Sequence, residues 1–387
     1  MNIAIFGGSF NPPHLGHLEA ARAVAEELKP DKLVIIPANI PPHKAMEEGS
    51  PPPEERMELC RLNFAGVPGA EISDIEIRRE GKSYTADTLE ALMAIYPGAD
   101  FTFVLGTDML LTFEEWYRYR FLLANMTLAV LARNEGDETG IRRHAEYLEK
   151  EYGANIVFIK REPTPMTSTD IRTLLRRRAG ASSLLDSVYS RIMKTRDYGA
   201  QAELYWLREK AYAMLKPNRV AHVAGVESEA VSLARRWGED PETAAEAGIL
   251  HDITKKLSLD EQLILCDKYG IIIDNVEKSN FKLLHARTGA AVAKDMFGVS
   301  DAVYQAIRWH TTGKPDMTML EKIIYLADYI EPNRDFPGLE RLRELSYENI
   351  DAAMALGLEM SLEDIRSYGE EPYKITAEAY EWYSREE

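Results

Sequence analysis

The sequence has two cysteines in 387 residues, Cys60 and Cys266, too few for a disulfide framework, so a reducing compartment is expected. It has no apolar run approaching the roughly 18 residues of a membrane helix, and its first ten residues, MNIAIFGGSF, show no basic leader. A cytoplasmic protein with no membrane partner is the expectation. Positive charge is also scarce: 46 Lys and Arg stand against 63 Asp and Glu, a net charge of −17. That balance argues against nucleic acid as a partner and requires any polyanion to be met by local groups. Histidine is scarcer still, with eight in the chain. What is plentiful is apolar surface, 45% of residues, enough for sizeable cores and, at roughly 150 residues per domain, for two of them.

Residues 1–200 alternate short β-branched runs with helical patterns, the signature of an α/β layer structure around a mostly parallel sheet. Candidate strands are Asn2–Phe6, Lys32–Pro37, Phe101–Leu105, Thr127–Leu131 and Ile156–Lys160. Residues 201–387 read as all-α, with amphipathic runs over Glu203–Leu215, Val226–Trp237 and Glu242–Leu250. Charge shifts at the same place, from −5 over the first part to −12 over the second. The domain boundary is therefore placed between residues 200 and 201. Pro41–Pro53, rich in Pro, His and Glu, reads as a loop over a site. Four histidines fall in each part, and only His144, in a charged helical stretch, is expected to be merely solvated.

The string Gly7-Gly8-Ser9-Phe10-Asn11-Pro12-Pro13-His14-Leu15-Gly16-His17 follows the first strand, and a helical pattern begins at Leu18. A glycine-rich turn between strand and helix presents backbone N–H groups and the positive helix end at the carboxyl edge of the sheet, where phosphates bind. His14 and His17 can face one phosphate chain, with Gly16 allowing close approach. Charge stabilisation of this kind suits transfer between phosphates without a covalent intermediate. Ser168 and Thr169 precede a helical run that they can cap, and Arg172 adds a bidentate cation. Lys44 is a point charge on the 41–53 loop, suited to closing over an anion. Trp116 suits either a packing role or stacking on an aromatic ring.

This segment resembles the nucleotidyltransferase superfamily with its HxGH motif, here His14-Leu-Gly-His17, and within it the bacterial nicotinate-nucleotide adenylyltransferases. Pro41-Pro-His-Lys44, Gly81-Lys-Ser-Tyr-Thr85, Gly106-Thr-Asp108, Trp116-Tyr117 and Ser168-Thr-Asp-Ile-Arg172 follow in that family's order. The resemblance implies a Rossmann-like α/β nucleotidyltransferase domain with His14 and His17 catalytic. ATP, with Mg²⁺, would lie on residues Gly7 to Asn11 and on Ser168, Thr169 and Arg172, with Gly106 and Asp108 near the adenosine. Nicotinate mononucleotide would lie against Lys44, Tyr84, Thr85, Trp116 and Tyr117. Two departures stand out: Ser9 and Asn11 replace the usual Thr and Asp, and Arg133-Asn134-Glu135 replaces the usual Arg-Pro-Gly.

The second part contains His222, the pair His251-Asp252, His285, His310 and Asp328. Imidazole and carboxylate together ligate first-row transition metals, and an Asp between two ions can bridge them. The spacings fit one ligand or ligand pair per helix of a bundle, all pointing inward, with His251 and Asp252 on one helix and Lys255 one turn on. The set resembles the HD phosphohydrolase superfamily, and closely its bacterial branch that cleaves diadenosine tetraphosphate symmetrically. The carrying strings are Arg219–Val226, Ile249–Lys255, Leu284-His285, Ala306–Gly313 and Lys322–Arg334. The resemblance implies two transition-metal ions, iron in that family, held by the six His and Asp residues; the residues themselves admit manganese too. A metal-bridging hydroxide would attack phosphorus. Lys255 is the candidate for leaving-group stabilisation, and Thr311, Thr312 and Arg334 for polyphosphate or ribose contacts.

The sequence thus predicts a bifunctional enzyme: adenylyl transfer to nicotinate mononucleotide, and hydrolysis of diadenosine tetraphosphate to two ADP. Open alternatives are another acceptor such as nicotinamide mononucleotide, another phosphate ester at the HD site, or an HD domain that senses nucleotides. A homo-oligomer is left open, as is the role of the segment after Leu345.

Overall fold

The computed structural model describes residues 1–41, 46–131, 138–160, 166–274, 278, 281–369 and 371–385. The chain divides into two compact units, Met1–Gln201 and Ala202–Glu387.

The first unit runs β1 (Asn2–Gly8), α1 (Leu15–Leu28), β2 (Lys32–Pro37), α2 (Pro53–Phe64), β3 (Ala70–Ile72), α3 (Thr85–Ile95), β4 (Asp100–Gly106), α4 (Thr107–Leu111), α5 (Tyr119–Asn125), β5 (Thr127–Leu131), α6 (Glu138–Tyr152), β6 (Asn155–Ile159), α7 (Ser168–Leu175) and α8 (Asp186–Thr195). All six strands are parallel, in the order β3-β2-β1-β4-β5-β6. The order reverses between β1 and β4, and the crevice beyond their carboxyl ends is where such sheets take ligands. Alternation along the strands divides the core. Ile3, Ile5, Phe101, Phe103 and Leu105 face one layer of helices, while Ala4, Phe6, Leu33, Ile35 and Val104 face the other. The five expected strands are present to within two residues. β3 is a three-residue edge strand, too short to leave a period in the sequence.

The second unit is helical: α9 (Leu204–Ala213), α10 (Val220–Trp237), α11 (Pro241–Leu250), α12 (Leu259–Lys268), α13 (Phe281–Phe297), α14 (Asp301–Trp309), α15 (Met319–Ile330), α16 (Leu339–Glu348), α17 (Ile350–Ser367) and α18 (Lys374–Tyr383). Several starts are written locally. Ser258 with Glu261 and Thr318 with Glu321 form capping boxes, and Asp240 and Ser300 cap α11 and α14. α15 is the central helix, with Leu320, Ile323, Ile324, Tyr325, Leu326, Ala327 and Ile330 all buried, and it packs against α10, α11, α14 and α17. Asp328, near the end of that largely buried helix, is thereby carried to the helix junction where α10, α11 and α14 meet it. Among the described residues no helix is long and apolar enough to cross a membrane.

Candidate functional sites

In the first unit the Gly7–Asn11 turn leaves β1 at the reversal point of the sheet. α1 begins at Leu15, three residues before the expected start at Leu18, so His14 is its N-cap and His17 lies in its first turn. The reason is local: the backbone N–H of His14 donates to His17 Nδ1 at 3.3 Å, so the second histidine helps close the helix end that the first begins. Their ring centroids are 3.7 Å apart, which aims the pair at one spot beside the helix N-terminus.

The turn is held from below by a residue that motif reading missed. Arg56 on α2 is 1% exposed and donates to three main-chain carbonyls: Nη1 to Ser9 O at 2.7 Å, and Nη2 to Ala38 O and Asn39 O at 2.7 and 3.1 Å. It ties the turn to the end of β2. Phe10 was expected among the nucleotide contacts, but its ring is buried against Phe6, Phe64 and His17, leaving its main chain to face a ligand. Asn11 is buried too, and its side-chain amide donates to Ser50 Oγ at 2.8 Å.

The start of α7 also differs from expectation. Thr167 is the N-cap, its hydroxyl accepting from Asp170 N, while Ser168 Oγ donates 2.9 Å to Pro12 O and so joins α7 to the turn. Thr169 is exposed, and its hydroxyl accepts from Arg172. Arg172 is 2% exposed; Nη1 donates to Asn11 O at 2.6 Å, and Nε and Nη2 hold both oxygens of Glu47. The guanidinium expected for phosphate is therefore matched to a carboxylate of the 41–53 loop. Gly106 ends β4 and Asp108 is exposed on α4. Tyr84 and Thr85 stand at the start of α3, with the Tyr84 and Tyr117 rings 4.9 Å apart. Trp116 is stacked on Phe113 at 4.9 Å and set edge-on to Phe103, so it packs against the core with one side left half-exposed. His144 is half-buried, its Nε2 3.2 Å from Glu114, rather than simply solvated. Lys44 and Arg133-Asn134-Glu135 lie outside the described residues.

In the second unit the six expected ligands converge. His222 comes from the first turn of α10, His285 from α13 and Asp328 from α15. The pair His251-Asp252 lies not on a helix but at its end: His251 is the C-cap of α11, and Asp252 and Lys255 lie in the turn that follows, as His310 is the C-cap of α14.

Asp252 sits between two groups of imidazoles. Its Oδ2 is 3.4 Å from His251 Nε2 and 3.8 Å from His222 Nε2; its Oδ1 is 3.2 Å from His285 Nε2 and 3.7 Å from His310 Nε2. Asp328 Oδ1 is 3.0 Å from His222 Nε2. Two three-residue groups have metal-holding spacing, His222-His251-Asp328 and His251-Asp252-His310. Oδ1 of Asp252 is buried with no aligned hydrogen-bond donor, and the donor set is imidazole and carboxylate, so the residues fit a pair of borderline cations.

The electrostatics agree. Burial alone would raise the Asp252 carboxyl, but the charge of His251 and the imidazoles around it hold it well below the usual range. Asp328 behaves alike, burial being outweighed by His222, His251 and Arg334. Burial, reinforced by the Lys255 charge, pushes His285 down to about 3, and burial lowers His310, so both are neutral donors. Burial opposes protonation of His251 as well, yet Asp252 raises it above its ordinary value.

Two further residues belong to the site. Arg219, just before α10, donates through Nε to Asp252 Oδ2 at 2.6 Å. Glu331, the C-cap of α15, lies 3.1 Å from His222 Nδ1. Both lie in the motif strings, where the sequence assigns them no role; the fold supplies their partners. Lys255 Nζ is 3.0 Å from His285 Nε2 and 4.0 Å from Asp252 Oδ1, and Arg334 Nη2 is 2.9 Å from Asp328. The Thr311 hydroxyl lies 3.2 Å from His310 Nε2, and that of Thr312 is turned to Gly313 O at 3.0 Å. A cavity of about 1010 Å³ opens on this cluster. Arg219, Lys255, Arg334, Thr311 and Thr312 line it together with Tyr329, Phe336, Ser361, Asp364, Tyr368 and Tyr373, so the segment after Leu345 supplies part of its wall.

Fold and geometry define two classes: an α/β nucleotide-binding unit built on a phosphate-gripping turn, and a helical HD-type unit with a His/Asp cluster for metal ions. The cytidylyltransferase-like family model matches residues 5–174 and the HD domain model residues 219–333. The chain is 36% identical over 197 residues to a "Probable nicotinate-nucleotide adenylyltransferase" of Carboxydothermus hydrogenoformans, covering 51% of this chain and 97% of that relative. It is 36% identical over 183 residues to the "Bis(5'-nucleosyl)-tetraphosphatase, symmetrical" of Bacillus subtilis, covering 45% of this chain and 96% of that relative. The chain belongs to both families, a nucleotidyltransferase and an HD-domain hydrolase in one polypeptide. Among solved structures, one titled a predicted HD superfamily hydrolase involved in NAD metabolism, from Clostridium acetobutylicum, is 34% identical with a TM-score of 0.46, over 47% of this chain and 97% of that one.

Proposed function

We propose that the first unit transfers the adenylyl group of ATP to nicotinate mononucleotide, and that the second hydrolyses diadenosine tetraphosphate to two ADP. In the first reaction a phosphate oxygen of the mononucleotide attacks the α-phosphorus of ATP. The bond from α-phosphorus to the bridging oxygen breaks, and pyrophosphate leaves with the electron pair. The nucleophile is already anionic, so the protein needs no base; it needs charge matched along the phosphates. His14 and His17 at the start of α1 do this by hydrogen bonding, and the main chain of Gly7 to Asn11 cradles the nucleotide. Magnesium arrives with ATP as part of the substrate. The half-exposed face of Trp116 and the Tyr84–Tyr117 pair offer the aromatic surface a pyridine ring requires.

In the second reaction water adds to one of the two central phosphorus atoms, and the bond to their shared oxygen breaks to release two ADP. His222, His251, Asp252, His285, His310 and Asp328 would hold two transition ions, which when bound acidify a water and neutralise phosphate charge. Lys255 and Arg334 line the cavity beside them and meet the phosphates not under attack; Lys255 also stabilises the departing ADP.

The observation that carries the hydrolase reading is Asp252, one carboxylate with each oxygen facing a different pair of imidazoles. The test is to supply the full chain with ATP and either nicotinate or nicotinamide mononucleotide, and separately with diadenosine tetraphosphate plus Mn²⁺ or Fe²⁺. The proposal expects preference for the nicotinate acceptor and ADP as the sole tetraphosphate product. A preference for the nicotinamide acceptor, or release of ATP plus AMP, defeats the corresponding half.

A further inference from the structure

The imidazoles of the second unit are not anchored alike. Nδ1 of His251 and of His310 each donates to the carbonyl three residues earlier in its own chain segment, Gly248 O and Ile307 O, both at 2.7 Å. His222 is anchored from across the fold: its Nδ1 donates to Glu331 Oε1 at 3.1 Å, 109 residues away. Glu331 is 1% exposed, and its other oxygen is fixed by Asn333, through the backbone N–H at 2.7 Å and Nδ2 at 2.9 Å. Room for this carboxylate depends on a missing side chain. Gly225, three residues after His222 on the same helix face, is where a Cβ would stand 2.3 Å from Glu331 Oε2.

We infer that Glu331 is a positioning residue that makes the His222-His251-Asp328 position the tighter of two metal positions and the first to fill. With Nδ1–H committed to a carboxylate, the lone pair of His222 is fixed on Nε2, the atom 3.0 Å from Asp328 and 3.4 Å from His251 Nε2. A carboxylate behind an imidazole makes it a stronger donor than a neutral carbonyl does. That position therefore feels two carboxylates besides the shared Asp252: Asp328 directly and Glu331 through His222. The second position has Asp252, His310 anchored on a carbonyl, and His285 with Lys255 Nζ beside its ring. Cations stand beside both positions, Arg219 at Asp252 Oδ2 and Arg334 at Asp328 Oδ1 on the first and Lys255 at Asp252 Oδ1 and His285 Nε2 on the second, so the contrast rests on the carboxylates.

The inference rests on the two-ion reading of the second unit, and the test separates the two. The full chain, stripped of metal, is titrated with Mn²⁺ and followed by equilibrium dialysis and electron paramagnetic resonance. Wild type is expected to fill in two steps, an isolated-ion signal giving way to a spin-coupled one. Glu331→Gln keeps shape and a hydrogen-bond acceptor but removes the charge. It is expected to weaken the tighter step about ten- to a hundredfold while moving the looser step far less. Gly225→Ala should do the same by displacing the carboxylate, and Glu331→Asp gives the same readout should the Gln variant fail to fold. If wild type takes two ions and these variants leave the tighter step within about twofold, or weaken both steps equally, the inference is wrong and the two-ion reading stands. If wild type takes fewer than two, that reading fails and the inference with it.

Discussion

Replacing Arg56 by methionine keeps an apolar stem of similar girth and removes the guanidinium with its five donors, so it tests what that group does for the phosphate turn. Arg56 is 1% exposed, and its partners are the carbonyls of Ser9, Ala38 and Asn39. A hydrogen bond from a charged donor contributes about 1.5–3 kcal/mol, so three represent roughly 5–9 kcal/mol gross. Against this, the methionine variant no longer buries a charge whose desolvation costs several kcal/mol, an expense already visible in the lowering of the Arg56 pKa by burial. The net loss is about 3 kcal/mol. Hydrogen exchange of the full chain reads it directly. The slowest amides of Asn2–Gly8 and Lys32–Pro37 should exchange about a hundredfold faster, since each 1.4 kcal/mol is a factor of ten. Freed from Arg56, the Ser9 carbonyl shifts the turn, and a displacement of about 1 Å is enough to lower adenylyl transfer about a hundredfold. Tetraphosphate hydrolysis serves as the internal control and should not move. Exchange within threefold of wild type together with an unchanged transfer rate would show that the turn is held by its own sequence and that the three bonds are incidental.

His17→Ala should abolish adenylyl transfer and spare hydrolysis, and Asp252→Ala should do the reverse; loss of both activities in either folded variant, in parallel assays, would contradict independent sites. Glu47→Gln leaves Arg172 without its carboxylate partner and should lower the KM for ATP about three- to tenfold in steady-state kinetics. A raised KM would show instead that Glu47 orients Arg172 for the nucleotide. Acid should destabilise the metal-free second unit through His285. Its folded pKa is about 3, against an unfolded value of about 6.5, so below that value the unfolded chain binds a proton that the folded chain refuses. From about pH 6 to about pH 4.5 this removes about 2 kcal/mol in urea titrations with chelator present, and lowered His310 adds to it. His251, raised, contributes stability already fully present there, and the depressed Asp252 and Asp328 lose theirs only at lower pH. His285→Gln should flatten that slope, and an equally steep variant would place the acid lability elsewhere.

Most of the parallel sheet and the helical character of the second unit could be read from period and composition, because buried parallel strands are short apolar runs and a helix facing a core is amphipathic. β3 escaped because a three-residue edge strand has no period. The start of α1 was misjudged because histidine is not a usual N-cap; here His17 accepting from the His14 backbone supplies what Glu or Gln at the third helical position of a capping box ordinarily would. The six His and Asp residues that the fold brings together were legible as a set because imidazoles are rare in this chain and chemically specific. The roles of Arg56, Arg219 and Glu331 were not legible, although the last two lie within the motif strings, because an arginine or glutamate in a charged sequence shows its partner only once the fold sets it beside one.

The two sites differ in what a substitution can damage. In the first unit the proposed cradle is largely main chain, from Gly7 to Asn11, and its geometry is kept by side chains behind it: Arg56 on Ser9 O, Ser168 on Pro12 O and Arg172 on Asn11 O. Each support holds a carbonyl that any residue would supply, so Ser9 and Asn11 can replace the family's usual Thr and Asp without disturbing the cradle. In the second unit the facing groups are side chains and their supports are largely main chain, Gly248 O behind His251 and Ile307 O behind His310. There the motif residues themselves carry the geometry. A support-residue screen should therefore find sensitive positions scattered through α2 and α7 in the first unit. In the second it should find few sensitive positions outside the motif strings, Glu331 and Gly225 lying within them. If supports in the two units proved equally sensitive, this division between main-chain and side-chain sites would be wrong.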